Sequence, residues 1–293
     1  MGRKDHRFVD RNSRVRASNK GVVSWVAPLT LGLFLLVLWW ALTNLRDVEP
    51  WVFPTPQNFG HRAVALLSQG WVWHRAGITA AEALAGSVLG SAVAIPLAWA
   101  IYRSNLVRAA LEPFLGATQA IPAIALAPLL VLWVGYGFVP IVALCALIVF
   151  FPVLVSTTVG LRQMDQDVLD AAALDGAGGW RMIWSIEMPL AAPAMLAGIR
   201  NGFALSVTGA VVGEMVMGGQ GLAQLLTQQR QNLDTAGMFV TVGLLCLLAM
   251  ILYGIIYYFE RRLKDDFDRP VRGRARNDSK GIAASSGTQR KVA

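Results

Sequence analysis

Charge is scarce in this chain. Of its 293 residues, 15% are Asp, Glu, Lys or Arg, against 55% hydrophobic. A soluble domain carries about 25% charged residues, so a water-soluble globule is excluded. Cysteine is nearly absent. Cys145 and Cys246 both lie inside apolar runs on different expected helices, so they read as small packing residues and not as a disulfide framework. His6, His61 and His74 are scattered, without metal-ligand spacing. No Gly-x-x-x-x-Gly-Lys-Ser/Thr run occurs, so the chain has no phosphate loop of its own. Paired carboxylates, His clusters and nucleophile–base pairs are also missing from the sequence pattern, which weakens any enzymatic reading.

What is present is a set of long apolar runs, several exceeding the roughly 18 residues that mark a membrane helix. Lipid offers no partners for free backbone N–H and C=O groups, so such a chain is helical. Six spans are expected, at 22–42, 78–102, 112–134, 139–161, 190–217 and 238–259. The first follows a basic tail and is too long for a signal-peptide core, so it reads as an anchor. The second carries Gly86, Ser87, Gly90 and Ser91, a small-residue face that lets helices approach closely. A short helix is expected at 57–69 after an extended run holding Pro50, Pro54 and Pro56, and another within the polar loop that follows the fifth span. The organisation expected is a basic disordered tail at 1–21, a membrane domain at 22–263 and a second basic disordered tail at 264–293.

Six spans put both termini on one side, and Lys and Arg decide which. The side of the termini carries 21 of them, including 7 in the first 20 residues and 10 from Arg261 onward. The other side carries Arg46, Arg62, Arg75 and Arg230. Positive-inside bias therefore places both termini in the cytoplasm of a multi-pass membrane protein. The basic tails are explained by topology, without a nucleic-acid partner.

Between the fourth and fifth spans lies a polar hairpin at 162–190 that cannot be embedded in lipid. Asp165 or Asp167 can cap a helix that begins near Gln166. Ala171, Ala172 and Ala173 favour the helix and keep its surface smooth. Gly176, Gly178 and Gly179 break it, and Gly176 is expected to need positive φ or a close backbone approach. A second short helix from Trp180 carries Trp180, Ile183 and Trp184 on one side. On composition alone this is either a loop lying against headgroups or a docking surface for a protein.

The order Asp170-Ala171-Ala172, Gly176, Ile186, Met188-Pro189 resembles the EAA loop of permease subunits of bacterial ABC importers. That pattern reads Glu-Ala-Ala, Gly, Ile-x-Leu-Pro at the same intervals. Asp170 stands for Glu and Met188 for Leu, and both exchanges keep the chemistry. FPTPQNF, AIPAIALAPLLVLWVGYG, VFFPVLVSTTVGLRQMD and GAVVGEMVMGGQGL are similar to the nitrate/sulfonate/taurine permease group. The resemblance implies an all-α membrane protein with the six-helix fold of type I ABC importer permeases and a cytoplasmic coupling hairpin. It implies a second permease copy, two ATP-binding subunits gripping the hairpin, and an external substrate-binding protein. ATP and magnesium would be bound by the partner ATPase, with no cofactor in this chain. The group imports small anions such as nitrate, taurine and sulfonates, and also pyrimidine-type vitamin precursors and riboflavin. GAVVGEMV with LDTAGMFVTVGLL is closer to the pyrimidine/riboflavin branch.

Polar residues inside spans are the pathway candidates. Glu214, near the outer end of the fifth span, lines the pathway or merely meets the interface. Gln119 contacts substrate or a neighbouring helix. Asn201, Ser206 and Thr208 are weaker candidates, since Ser and Thr also bond back to their own helix. Arg200 is expected to snorkel to headgroups and Glu82 to be solvated at the interface. The competing function is a membrane scaffold or enzyme whose hairpin recruits an unrelated partner.

Overall fold

The computed structural model describes residues 20–45, 52–117 and 123–288, and those residues form helices and turns with no strand. The helices are α1 (Lys20–Leu45), α2 (Pro56–Leu67), α3 (Gly70–Arg103), α4 (Asn105–Ala117), α5 (Ala127–Val134), α6 (Phe138–Arg162), α7 (Gln166–Leu174), α8 (Gly179–Met182), α9 (Met188–Met217), α10 (Leu222–Gln231) and α11 (Thr235–Thr288). Among the described residues four helical stretches are long and apolar enough to cross a bilayer: Gly70–Arg103, Phe138–Arg162, Gly179–Met217 and Thr235–Arg262. Thr30–Thr43 and Ala123–Val134 are shorter apolar helices.

α6 is the central post, packed against α3 on one side and α9 on the other. Small residues set this packing. A Cβ at Gly86 would overlap Cys145, and one at Gly90 would come 2.5 Å from the Ala146 carbonyl oxygen. The expected small-residue face is thus the α3–α6 contact. α9 approaches α6 in the same way through Gly198 and Gly202. Buried residues then collect in three clusters along the bundle. One, at the hairpin end, joins Ala98 and Ile101 of α3, Val153 and Leu161 of α6, Leu169 of α7 and Ala191 of α9. The middle one centres on Ile141, Leu144 and Cys145. The third, at the far end, joins Leu66 of α2, Val72 of α3, Leu222 and Leu225 of α10 and Val240 of α11.

The departures from the sequence expectations have physical reasons. The third span, expected as one helix at 112–134, is broken: α4 ends at Ala117, a 3-10 turn runs Ala123–Leu126, and α5 follows. Pro128, in the first turn of α5, lacks the N–H that would carry a continuous ladder back into the preceding turn. α3 begins at Gly70, eight residues before the expected 78. At 1.5 Å per residue it is about 51 Å long, so its first turns extend past a hydrocarbon core of about 30 Å. The hairpin's second arm does not break before α9. Its Ile183–Glu187 segment is a π-turn that runs straight into Met188. Pro189 has no N–H for the carbonyl four residues back, and the Met188 N–H reaches instead to Ile183. The last helix, α11, runs to Thr288. Pro56, expected in an extended run, instead opens α2, with Thr55 accepting from the Asn58 N–H at 3.3 Å.

Candidate functional site

The hairpin is built from local chemistry. Asp165 is the cap of α7: its carboxylate accepts from the Asp167 N–H at 3.0 Å. α7 closes in a Schellman motif. The Ala177 N–H reaches the Ala172 carbonyl at 2.9 Å and the Gly176 N–H reaches Ala173 at 3.0 Å. That closure needs a left-handed residue, and Gly176 has φ +83°. A Cβ there would meet nothing within 4 Å, so backbone conformation and not crowding demands glycine. Asp170 and Ala171 are exposed, Ala172 and Ile186 half-buried. Leu174 is 89% exposed and Trp180 72%. Trp180 and Trp184 lie side by side, their rings tilted at 60° with centroids 5.7 Å apart, as their spacing promised. Only Leu169 of α7 enters the core. The hairpin therefore presents a smooth alanine surface and a Trp pair outward, held at its base.

That base is pinned by Glu187, a residue the sequence reading passed over as the unspecified position between Ile186 and Met188. Its carboxylate is buried. One oxygen accepts from Arg103 Nη2 at 2.6 Å and the other from Trp99 Nε1 at 2.9 Å. Both donors stand one turn apart at the end of α3. An acidic residue just ahead of a long apolar helix was the only hint in the sequence.

At the far end of α9 the polar groups turn inward. Glu214 is fully buried. One oxygen accepts from Ala223 N–H at 2.8 Å and Gln224 N–H at 3.4 Å, so Glu214 caps α10 from another helix. The other accepts from the Thr79 hydroxyl at 2.5 Å. Thr79 Oγ1 in turn accepts from the Leu222 N–H at 2.9 Å. Glu82 completes the knot. It is 1% exposed, not solvated at an interface as its position implied. Its carboxyl stands beside that of Glu214. Gly221 is required here because any Cβ would overlap Glu214 and Thr79.

The remaining candidates separate by exposure. Ser206 is fully buried and donates to the Ala83 carbonyl at 2.7 Å, clasping α9 to α3. Asn201 and Thr208 are exposed on α9, seven residues apart and so on one face. Gln119 lies outside the described residues. Arg200 does not snorkel: it pairs with Glu260 at 2.7 Å and lies over the rings of Tyr253 and Tyr257, locking α9 to α11. Beside the Glu214 knot a cleft of about 360 Å³ opens between Trp71, His74 and Arg75 of α3 and Gln224 and Gln228 of α10.

Residues 86–265, which hold the central helices, the hairpin and α10, match the model of the binding-protein-dependent transport system inner membrane component family. The chain belongs to that family. This permease is 37% identical to the riboflavin transport system permease protein RibX of Chloroflexus aurantiacus, over 80% of this chain and 88% of RibX. It is 30% identical to the formylaminopyrimidine transport permease protein ThiX of Halalkalibacterium halodurans, over 80% and 93% of the two chains. The taurine transport system permease protein TauC of Escherichia coli is 25% identical over 78% and 85%. The fold is shared with a chain of the inward-facing MetNI methionine ABC transporter, at a TM-score of 0.59, 15% identity and coverage of 66% of this chain and 95% of that one.

Proposed function

We propose that this permease is the membrane-spanning subunit of an ABC importer for a small heterocyclic vitamin or vitamin precursor, and that a separate ATPase drives it through the hairpin. Two copies form the pathway, two ATPase subunits dock below, and a binding protein delivers solute from outside. The chain crosses the inner membrane six times, with both termini and the hairpin in the cytoplasm, as the distribution of Lys and Arg requires. ATP hydrolysis belongs to the partner, since this chain has no phosphate loop.

One observation carries the reading. The motif residues Asp170 and Ala171, with Leu174, Trp180 and Trp184, form an exposed surface between membrane helices. Its apolar part is costly to leave in water, at about 25 cal/mol per Å², and fits a protein partner. Asn201 and Thr208 support a second copy: lipid gives such side chains no partner, whereas a water-filled path between two subunits does. The higher identities to the riboflavin and formylaminopyrimidine permeases favour a flat heterocycle over taurine.

The experiment is co-purification of the ATPase with the parent and with Trp180→Asp, together with uptake of labelled riboflavin and taurine. Loss of the ATPase from the variant and competition by riboflavin alone are expected. Full ATPase retention in Trp180→Asp returns the hairpin to a headgroup-bound loop. Taurine uptake without riboflavin uptake overturns the substrate class.

A further inference from the structure

We propose that Glu187 is a positioning residue that makes the end of α3 move together with the hairpin, so that the ATPase stroke drives α3 and α9 as one body. The proposal rests on the hairpin being the ATPase docking element.

The hairpin runs into α9 through backbone, so α9 follows it directly. α3 has no backbone link to it. The Glu187 carboxylate supplies one, with each oxygen held by a separate donor, Arg103 at 2.6 Å and Trp99 at 2.9 Å. Its side chain is 3% exposed, whereas that of Arg103 is 46% exposed. A charge this buried binds its partners more firmly than the same pair in water, because solvent competes less. It is also costly to leave unpaired. Apolar contact adds to the link but has no direction: Met182, Ile186 and Met188 pack on the same cluster as Ile101 and Trp99. Such surfaces can slide, whereas a carboxylate held at both oxygens fixes register.

The placement matters as much as the bonds. Glu187 closes the Ile183–Glu187 π-turn, where the wider ladder is the most compliant point between hairpin and membrane helix. A free π-turn would flex and absorb the stroke. Clamping its last residue to α3 removes that freedom and shares the load with a second membrane helix. α3 carries Thr79 at its other end, within the knot that holds α10. Motion of α3 therefore reaches the far end of the bundle.

The test uses the whole importer with Cys246→Ser, the buried Cys145 being retained, and two reporters read by maleimide labelling with and without trapping by ATP and vanadate. Asp175→Cys reports the hairpin. Asn105→Cys, at the first residue of α4 and two positions past Arg103, reports the end of α3; both parent residues are exposed. In the parent background trapping changes both labelling rates. In Glu187→Gln the change at Asn105→Cys is lost, while that at Asp175→Cys remains. Arg103→Gln gives the same loss, Arg103→Lys keeps the response, and Glu187→Gln with Arg103→Gln loses no more than either alone. An Asn105→Cys response that survives Glu187→Gln overturns the relay. An Asp175→Cys that never responds overturns the docking reading and the relay with it. If Glu187→Gln does not assemble, Arg103→Gln decides alone, since it removes only the half-exposed donor.

Discussion

At the far end of the bundle Glu214, Thr79 and Gln229 are buried and bonded to neighbours, Glu82 is buried beside them, and the loop they hold is short and closed. At the hairpin end Asp170, Asp175, Leu174 and Trp180 face outward, and one leucine anchors α7 to the core. The first arrangement braces the chain against itself. The second leaves surface free for something else. Substitutions should therefore divide: at the far end they weaken the protein, and at the hairpin they weaken an assembly while the protein stays folded.

The largest effect is expected at Glu214. Glu214→Ala leaves the Ala223 N–H and the Thr79 hydroxyl without their acceptor inside a buried network. Each buried donor left without its acceptor costs about 1–3 kcal/mol, and more than one is orphaned here. Thermal unfolding of the purified permease should shift down clearly, and protease should cut first between α9 and α11. A melting curve like the parent's would place the bracing elsewhere.

Gly86→Ala comes next. Its methyl must enter the space of Cys145, and overpacking of this kind costs about 1–3 kcal/mol. The same measurement checks it, and Gly77→Ala on the same helix, where a Cβ meets nothing within 4 Å, is the control.

Gly176→Val tests the other side of the comparison. A β-branched residue at φ +83° is strained by about 1–3 kcal/mol. The strain falls on an exposed turn, so membrane insertion persists while ATPase co-purification drops. Equal loss of folded permease would show that the hairpin is structural after all.

The smallest stability effects are expected from Asp170→Lys and Glu82→Gln, each within about 0.5 kcal/mol. Asp170 is exposed, and surface charges of this kind contribute little to folding. Its reversal should weaken ATPase binding, more at low salt than at high salt. Glu82→Gln keeps the size and shape of the side chain and leaves the Thr79, Leu222 and Ala223 bonds in place, so melting stays put while Glu214→Ala falls. A large loss in Glu82→Gln would mean that the Glu82 charge itself is needed.

Much of this was legible in order along the chain. α6 and α9 lie within two residues of their expected bounds, because a long apolar run leaves a lipid-facing backbone no alternative to helix. α7, its Asp165 cap and the positive φ of Gly176 followed from side chains within one short stretch, Asp165 to Gly176. The Gly86 and Gly90 face could be read from spacing, though not the partner it meets. Pairings across the bundle could not be read. Glu82 and Glu214 are 132 positions apart in the chain, and each taken alone is an acidic residue near a helix end. Glu187 finds Arg103 and Trp99 only because α3 and α9 converge at the hairpin end. Hydrophobic period and local turn chemistry act over a few residues, so the sequence alone determines which segments are helices, where they cap, and which face is small. Which buried carboxylate meets which donor depends on how those helices cross, and only the tertiary packing around α6 decided that.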